Sequence, residues 1–206
     1  MSSVDTPTPE PGTRMRSEDR REQLLAAATA VFGERGYVGA TTDAIARAAG
    51  VSQPYVVRTF GTKEALFLAV LGRALDRMLV AFRTALAADD PATSATARIS
   101  AAYVELLSDR GLLLSLMHAF VLGSDPVIGA AAREGFLCVA RFLREEAGLD
   151  PEEARAFLAY GMLLNTLVGV RMADLYETDA AARELLDAAM PTKIDLLLRI
   201  RDAEKR

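Results

Sequence analysis

Apolar residues recur at intervals of three and four positions along almost the whole chain, and this spacing constrains the fold more than any other feature. The first segment shows the pattern clearly, with one apolar stripe formed by Leu24, Leu25, Ala28, Val31 and Phe32. Segments of alternating polarity bounded by turn residues, which half-buried strands require, are hard to find. The sequence therefore predicts an all-α protein.

Glycine and proline residues divide this pattern into segments. Glycine often ends a helix because it tolerates the left-handed conformation, and we expect helix ends or breaks at Gly36, Gly50, Gly111 and Gly148. A proline inside a helix removes a hydrogen bond, so Pro191 predicts a kink or a break near Met190. The predicted helices cover about residues 17–36, 42–49, 53–60, 62–88, 94–108, 111–123, 127–147, 151–176 and 179–204.

The composition excludes several classes of protein. The chain has 206 residues, of which 51% are hydrophobic and 25% are charged, so it is neither wholly disordered nor collagen-like. Residues 1–16 are rich in Pro, Ser and Thr, lack the apolar core of a secretory signal, and predict a disordered tail. The single cysteine, Cys138, excludes an intrachain disulfide and suits a cytoplasmic protein. We expect no membrane span, no metal site and no cofactor.

The charge is distributed unevenly between the two ends of the chain. The net charge is -4, yet residues 14–63 contain eight Arg or Lys against five Asp or Glu, whereas residues 64–206 contain sixteen against twenty-one. A cationic segment on an acidic protein indicates where a nucleic-acid contact would lie.

The most informative segment is residues 41–67, TTDAIARAAGVSQPYVVRTFGTKEALF. Thr41 or Thr42, Ser52 and Thr62 are suitable caps, since a side-chain oxygen accepts an unpaired backbone N–H at a helix start. Gly50 permits a tight turn between two short helices. The second helix has the size to enter a DNA major groove, and the residues predicted to project from it are Gln53, Tyr55, Arg58 and Thr59.

This segment and its neighbours resemble the TetR family of transcriptional regulators, from Gln23 to about Val70. The matching residues are the apolar stripe of the first helix, Phe32, Gly36, Tyr37, Thr41, Thr42, Ile45, Ala46, Ala49, Gly50, Val51, Ser52, Phe60, Lys63, Glu64 and Leu66. The resemblance implies a homodimer, paired through its last two long helices, whose helix-turn-helix heads read a palindromic DNA operator.

The same resemblance implies roles for individual residues. Thr42 and Lys63 match positions that contact phosphates, and residues 52–59 match the recognition helix. Val57 and Thr59 depart from the family, which has an aromatic residue and His or Tyr at these places, and Tyr55 is a candidate replacement for the lost phosphate contact. The alternative for Arg58 is a solvated surface charge, and for Tyr55 it is a ring packed on the head.

The resemblance also divides the chain. It implies a DNA-binding domain at residues 17–63 and a ligand-binding and dimerisation domain at residues 64–206. The helix at 62–88 connects the two domains. Four arginines near the first helix are candidates for a basic arm, against the alternative that the first two only solubilise the tail: Arg14, Arg16, Arg20 and Arg21.

Two segments of the second domain, residues 112–122 and 157–170, are apolar on almost every side and predict central helices. Polar or soft side chains inside apolar helices are typical of a small-molecule cavity. The candidate ligand contacts are Met117, His118, Phe120, Phe136, Tyr160 and Asn165. The alternative is that these residues only fill the core.

The sequence therefore predicts a ligand-responsive DNA-binding repressor, whose partners are an operator and a small, largely apolar effector. An alternative is a DNA-binding regulator controlled by a protein partner or by its own abundance. We do not expect an enzyme, because the sequence has no glycine-rich phosphate loop, no serine elbow and no second histidine beside His118.

Overall fold

The computed structural model describes residues 17–88, 92–191 and 193–204, so the predicted tail at residues 1–16 lies outside the described residues. The described chain is helical and contains no strand. The helices are α1 (Ser17–Gly39), α2 (Thr42–Ala48), α3 (Gln53–Phe60), α4 (Lys63–Ala87), α5 (Ala95–Leu106), α6 (Arg110–Val121), α7 (Ile128–Arg141), α8 (Pro151–Gly169), α9 (Ala180–Ala189) and α10 (Ile194–Glu204). No helix in the described ranges has the length and apolarity that a bilayer span needs.

Helices α1 to α3 form the head, and local sequence signals set their limits. Gly36 interrupts α1 with φ of 68° and ψ of 172°, as the sequence predicts. Thr41 and Thr62 cap α2 and α4, since their hydroxyls accept from the backbone N–H groups of Ala44 and Ala65. Ser52 occupies the cap position of α3, but its side chain makes no cap hydrogen bond.

The head and the rest of the chain share one hydrophobic core. Leu24 and Phe32 of α1, Ile45 of α2 and Val56 of α3 are almost fully buried in it. The same core contains Ala119 of α6, together with Phe67 and Val70 of α4 and Ile128 of α7. A displacement of α6 or α7 therefore changes the packing of the head.

Gly111 has a different role from the predicted helix break. It lies in the first turn of α6, which begins at Arg110 and is capped by Asp109. A methyl group on Gly111 would lie 3.1 Å from the carbonyl oxygen of Thr29 and 3.2 Å from the Cα of Ala30, both on α1. The glycine is needed because two backbones meet there, and not because a helix ends.

The remaining helices form the larger body, which has two further cores. Phe82 of α4 contacts Phe142 and Phe157 at ring-centroid distances of 5.6 and 5.8 Å in the first core. Leu164 of α8 and Leu186 of α9 are fully buried in the second, which joins α8, α9 and α10. The predicted break at Met190 is confirmed, since α9 ends at Ala189 and α10 starts at Ile194.

Two of the predicted long helices are interrupted. The helix predicted at 151–176 ends at Gly169, because Arg171 adopts the left-handed conformation with φ of 56°, and Met172–Leu175 form a short 3-10 turn. The helix predicted at 127–147 changes after Arg141 into a single π-helical turn, Phe142–Glu146. The prediction of continuous helices was wrong here because apolar spacing does not distinguish an α-helical turn from a π or 3-10 turn.

Candidate DNA-binding face and ligand cavity

Helix α3 lies on the outside of the head and exposes one side. Val56 is its buried anchor, with 1% of its surface exposed. Ser52, Gln53 and Arg58 are exposed on the other side, whereas Tyr55 and Thr59 are half-buried. This exposed side is the candidate DNA-binding face, and α3 reaches it because Gly50, with φ of 64°, makes the turn after α2.

The start of α2 belongs to the same face. The Gln53 side-chain amide donates a hydrogen bond of 3.2 Å to the hydroxyl of Thr42. Thr42 is the first residue of α2, and the unbonded hydroxyl of Ser52 precedes Gln53. Three side chains that the sequence assigns to the DNA contact therefore lie together where two helices begin, which is a favourable place for a phosphate.

Tyr55 and Arg58 form a stacked pair on α3. The guanidinium carbon of Arg58 lies 5.1 Å from the centre of the Tyr55 ring. The Tyr55 ring also packs against the head core, and the Thr59 hydroxyl donates to the Tyr55 carbonyl at 2.8 Å. Tyr55 thus supports Arg58 from the head side, and Thr59 uses its hydroxyl within the helix.

Lys63 anchors the end of α1 to the start of α4. Its ammonium group donates to the carbonyl oxygens of Tyr37 at 2.9 Å and Ala40 at 3.2 Å, and it lies 4.6 Å from the centre of the Tyr37 ring. Burial, and then the nearby carboxylates of Glu64 and Asp125, raises the pKa of the Tyr37 hydroxyl. An ammonium group has three N–H donors, so the two carbonyls take up two of the three donors of Lys63.

Two of the four arginines of the predicted basic arm, Arg20 and Arg21, lie within the described residues. The guanidinium carbon of Arg21 lies 5.0 Å from the centre of the Phe60 ring at the end of α3. Arg20 is half-buried, and Arg14 and Arg16 lie outside the described residues. The described part of the predicted arm is therefore attached to the head beside α3.

A cavity of about 420 Å³ lies in the body between five helices. Almost all of its wall is apolar. Helix α4 contributes Leu68, Leu71, Gly72, Leu75, Met78 and Phe82; α5 contributes Tyr103; α6 contributes Leu116, Ala119 and Phe120; α7 contributes Ala131, Ala132, Glu134, Gly135, Phe136 and Val139; α8 contributes Phe157, Leu158, Gly161, Met162 and Asn165.

One polar pair is built into this apolar wall. The Tyr103 hydroxyl donates a hydrogen bond to Oδ1 of Asn165, and Asn165 is only 4% exposed. Burial raises the pKa of the Tyr103 hydroxyl to about 12, while the hydrogen bond to Asn165 lowers it. The hydroxyl therefore stays protonated at neutral pH, and the pair presents a neutral polar group inside the cavity.

The cavity contains three of the six predicted ligand contacts, Phe120, Phe136 and Asn165. Met117, His118 and Tyr160 are not among its lining residues. The Cε1 atom of His118 would lie 3.1 Å from a methyl group on Gly36, so His118 faces the head. The Tyr160 hydroxyl donates to the carbonyl of Ala189 at 2.6 Å, and burial raises its pKa. Met117 is half-buried elsewhere on α6.

The sequence reasoning missed Tyr103 and three glycines that shape the wall. Tyr103 fits the apolar pattern of α5, so nothing in its spacing separates it from core residues. Gly72, Gly135 and Gly161 lie inside helices, where a glycine costs about 1 kcal/mol relative to alanine. Such helix-interior glycines are a sequence signal for space or close approach. In the described ranges, no three His, Cys, Asp or Glu side chains are grouped to hold a metal ion.

Comparison with known proteins identifies the head. Residues 24–70 match the family described as bacterial regulatory proteins, tetR family. The chain is 47% identical over 75 residues to the HTH-type transcriptional activator FasR of Mycolicibacterium smegmatis, a match that covers 36% of this chain and 34% of FasR. The chain therefore matches about a third of the length of that relative.

Solved structures extend the likeness to the whole fold. A TetR transcriptional regulator from Legionella pneumophila is 22% identical, with a TM-score of 0.65 over 90% of this chain and 98% of that one. The multidrug binding protein EbrR, complexed with imidazole, is 22% identical, with a TM-score of 0.54 over 88% of this chain and 89% of that one. At 22% identity the likeness to these structures shows only the fold. The match in sequence lies in the head, at residues 24–70. The head of the chain, over residues 24–70, therefore belongs to the TetR family of bacterial regulatory proteins.

Proposed function

We propose that this protein is a homodimeric DNA-binding regulator that represses transcription and leaves a palindromic operator when a small, largely apolar molecule occupies the cavity. Residues 17–63 are the DNA-binding domain in this proposal, and residues 64–206 bind the ligand and form the dimer. The observation that carries it is the shared core: Ala119 lines the cavity and is also fully buried in the core of the head.

Helix α6 is the element that connects the two sites. Leu116, Ala119 and Phe120 face the cavity, whereas His118 on the same helix lies against Gly36, where α1 breaks. A ligand that moves α6 therefore changes the contact at the end of α1, and with it the position of α2 and α3. The ligand lowers DNA affinity to the extent that it binds better to the head position that misfits the operator.

The last helices supply the surface for the proposed dimer. Leu163 of α8 and Leu185 of α9 are 39% and 40% exposed, and Val170 and Leu175 after α8 are 61% and 47% exposed. A contiguous apolar patch on a surface marks a place that a partner covers, and in this proposal these side chains contribute to such a patch. Two heads held by one dimer read two half-sites about one or more helical turns apart.

The test starts with selection of bound DNA from random and genomic fragments, using the full chain. A palindromic consensus is expected, with two chains per site in sedimentation of the complex. A monomer at micromolar concentration, or bound DNA without a twofold-related consensus, would contradict the dimer proposal.

The sensing part needs its own measurement. A screen of small apolar molecules by thermal shift is followed by operator binding with each molecule that stabilises the protein. Weaker operator binding with such a molecule supports the proposal, and unchanged binding favours control by a protein partner or by abundance. FasR is named as an activator, whereas this proposal is for a repressor. Transcription from the selected promoter, measured with and without the protein, tests whether the protein represses or activates.

A further inference from the structure

We infer that the cavity takes an uncharged, mainly apolar ligand that carries a hydrogen-bond acceptor, such as a ketone or ester oxygen, and that the side-chain amide of Asn165 donates to that acceptor. The inference rests on the proposed function in one respect, that the cavity is the ligand site. It adds the chemical class of the ligand and the residue that selects for it.

The buried part of the wall offers no partner to a charged group. Among the described residues that line the cavity, Glu134 is the one whose side chain is charged at neutral pH. Its side chain is 68% exposed, and its carboxylate forms an ion pair with Arg141. A charge placed deeper would lose its water and find only apolar side chains and the neutral pair of Tyr103 and Asn165. Burial without a partner disfavours the charged form of a ligand strongly.

Asn165 has a donor left for the ligand. Its Oδ1 accepts from the Tyr103 hydroxyl, and its Nδ2 contacts the Sδ atom of Met162 at 3.9 Å. A thioether sulfur is a weak acceptor, while an amide nitrogen carries two N–H groups. The opposite orientation of the amide would place its oxygen against the sulfur, so that two acceptors would face each other. An oxygen acceptor on a ligand would give Nδ2 a stronger partner than Met162.

Glycines leave room for the apolar part of the ligand. A methyl group on Gly72 of α4 would meet no atom within 4 Å, and one on Gly135 of α7 would meet only Leu75, at 3.9 Å. Gly72 is exposed and lines the cavity, so the cavity opens to solvent beside this residue of α4. The rings of Phe120 and Phe136 lie close by, with centroids 6.0 Å apart. An apolar body on the side of α4 and α7 places its acceptor toward Asn165 on α8.

The experiment uses probes that differ at one position. Benzophenone has a carbonyl acceptor between two rings, diphenylmethane has a methylene there, and diphenylacetate and benzhydrylammonium carry a negative and a positive charge on a similar frame. Dissociation constants are measured by calorimetry on the full chain without DNA. The two ions are expected to bind more weakly than benzophenone.

The decisive quantity is the preference for benzophenone over diphenylmethane, which is the ratio of their two dissociation constants. It is measured for the parent protein, for Asn165→Leu and for a control variant. Asn165→Leu keeps the size of the side chain but removes both amide groups, and we expect the preference to fall by about tenfold, because the carbonyl is then buried without a donor. Thr166→Val is the control at the next residue of the same helix; the Thr166 side chain is exposed and does not line the cavity, so this variant is expected to keep the preference. Circular dichroism and melting temperature check that each variant folds.

The outcomes separate this inference from the proposed function. No binding of benzophenone by the parent, a preference unchanged within about twofold in Asn165→Leu, or tighter binding of an ion would overturn the inference. Operator binding is measured separately with each probe. An Asn165-dependent preference without any change in operator affinity would support the ligand class and contradict the release mechanism. A probe that lowers operator affinity equally in the parent and in Asn165→Leu would support the release mechanism and contradict the role of Asn165.

Discussion

Gly33 of α1 and Gly111 of α6 bring two helix backbones into direct contact. A methyl group on Gly33 would lie 2.7 Å from the Cα and 2.9 Å from the carbonyl oxygen of Gly111. Ser115, one turn further along α6, is fully buried and donates to the Gly111 carbonyl at 2.8 Å. The helix that lines the cavity is therefore held against the first helix of the head with no side chain between them.

Gly33→Ala is expected to lower the free energy of unfolding by about 1–3 kcal/mol, because neither backbone can move aside as a flexible side chain would. Urea denaturation measures the change. Gly72→Ala is the control in another helix interior, since its methyl group meets nothing within 4 Å. That variant is expected to be as stable as the parent or more stable, by up to about 1 kcal/mol. Equal stability of the two variants would show that the contact is not close in solution.

Lys63→Met keeps most of the side-chain volume and removes the ammonium group. Two consequences are expected because Lys63 bonds the carbonyls of Tyr37 and Ala40. The head loses about 1.5–3 kcal/mol of stability with the charge-assisted bonds. Binding to operator and to unrelated DNA weakens by the same factor, since a phosphate contact carries no base information. Unfolding curves and fluorescence anisotropy measure the two effects, and a loss confined to the operator would contradict the second.

Arg58→Ala is expected to relax the base preference at one position of each half-site. A bidentate arginine contact with a base contributes about 1–3 kcal/mol of discrimination. Selection of bound sequences measures the preference. Arg47→Ala is the control, because Arg47 is an exposed arginine on α2 that pairs with Asp43 at 2.7 Å. If the selected consensus is the same for Arg58→Ala as for the parent, Arg58 does not read a base.

Alkaline pH is expected to destabilise the protein through Tyr103. Its pKa is about 12 in the folded protein against 10.0 for the ordinary phenol, so the folded state holds the proton that the unfolded state loses. The stabilisation is complete below pH 10 and is lost as pH rises toward 12, by about 1.4 kcal/mol for each pH unit. Urea denaturation from neutral to alkaline pH measures it. Tyr103→Phe should remove this part of the decline, and an identical decline in both proteins would refute the assignment.

Local signals in the sequence were sufficient for the head and for most of the helix pattern, but not for the turns at Phe142–Glu146 and Met172–Leu175. The caps at Thr41 and Thr62, the turn glycine Gly50 and the break near Met190 act within a few residues, so each is visible in a short stretch of sequence. The position of α3 on the outside of the head follows from the same short-range pattern, because Val56 is apolar and Gln53 and Arg58 are polar.

Only the tertiary structure decided which residues form the cavity and which hold the two parts together. The cavity wall comes from five helices, so Tyr103 becomes a partner of Asn165 only through the packing of α5 on α8. The sequence pattern predicts a helix break at Gly111, whereas the contact of Gly111 with the backbone of α1 shows why a glycine is required there. The spacing along one helix determines which face is apolar, whereas the packed neighbour determines whether that face meets a core, a cavity or another backbone.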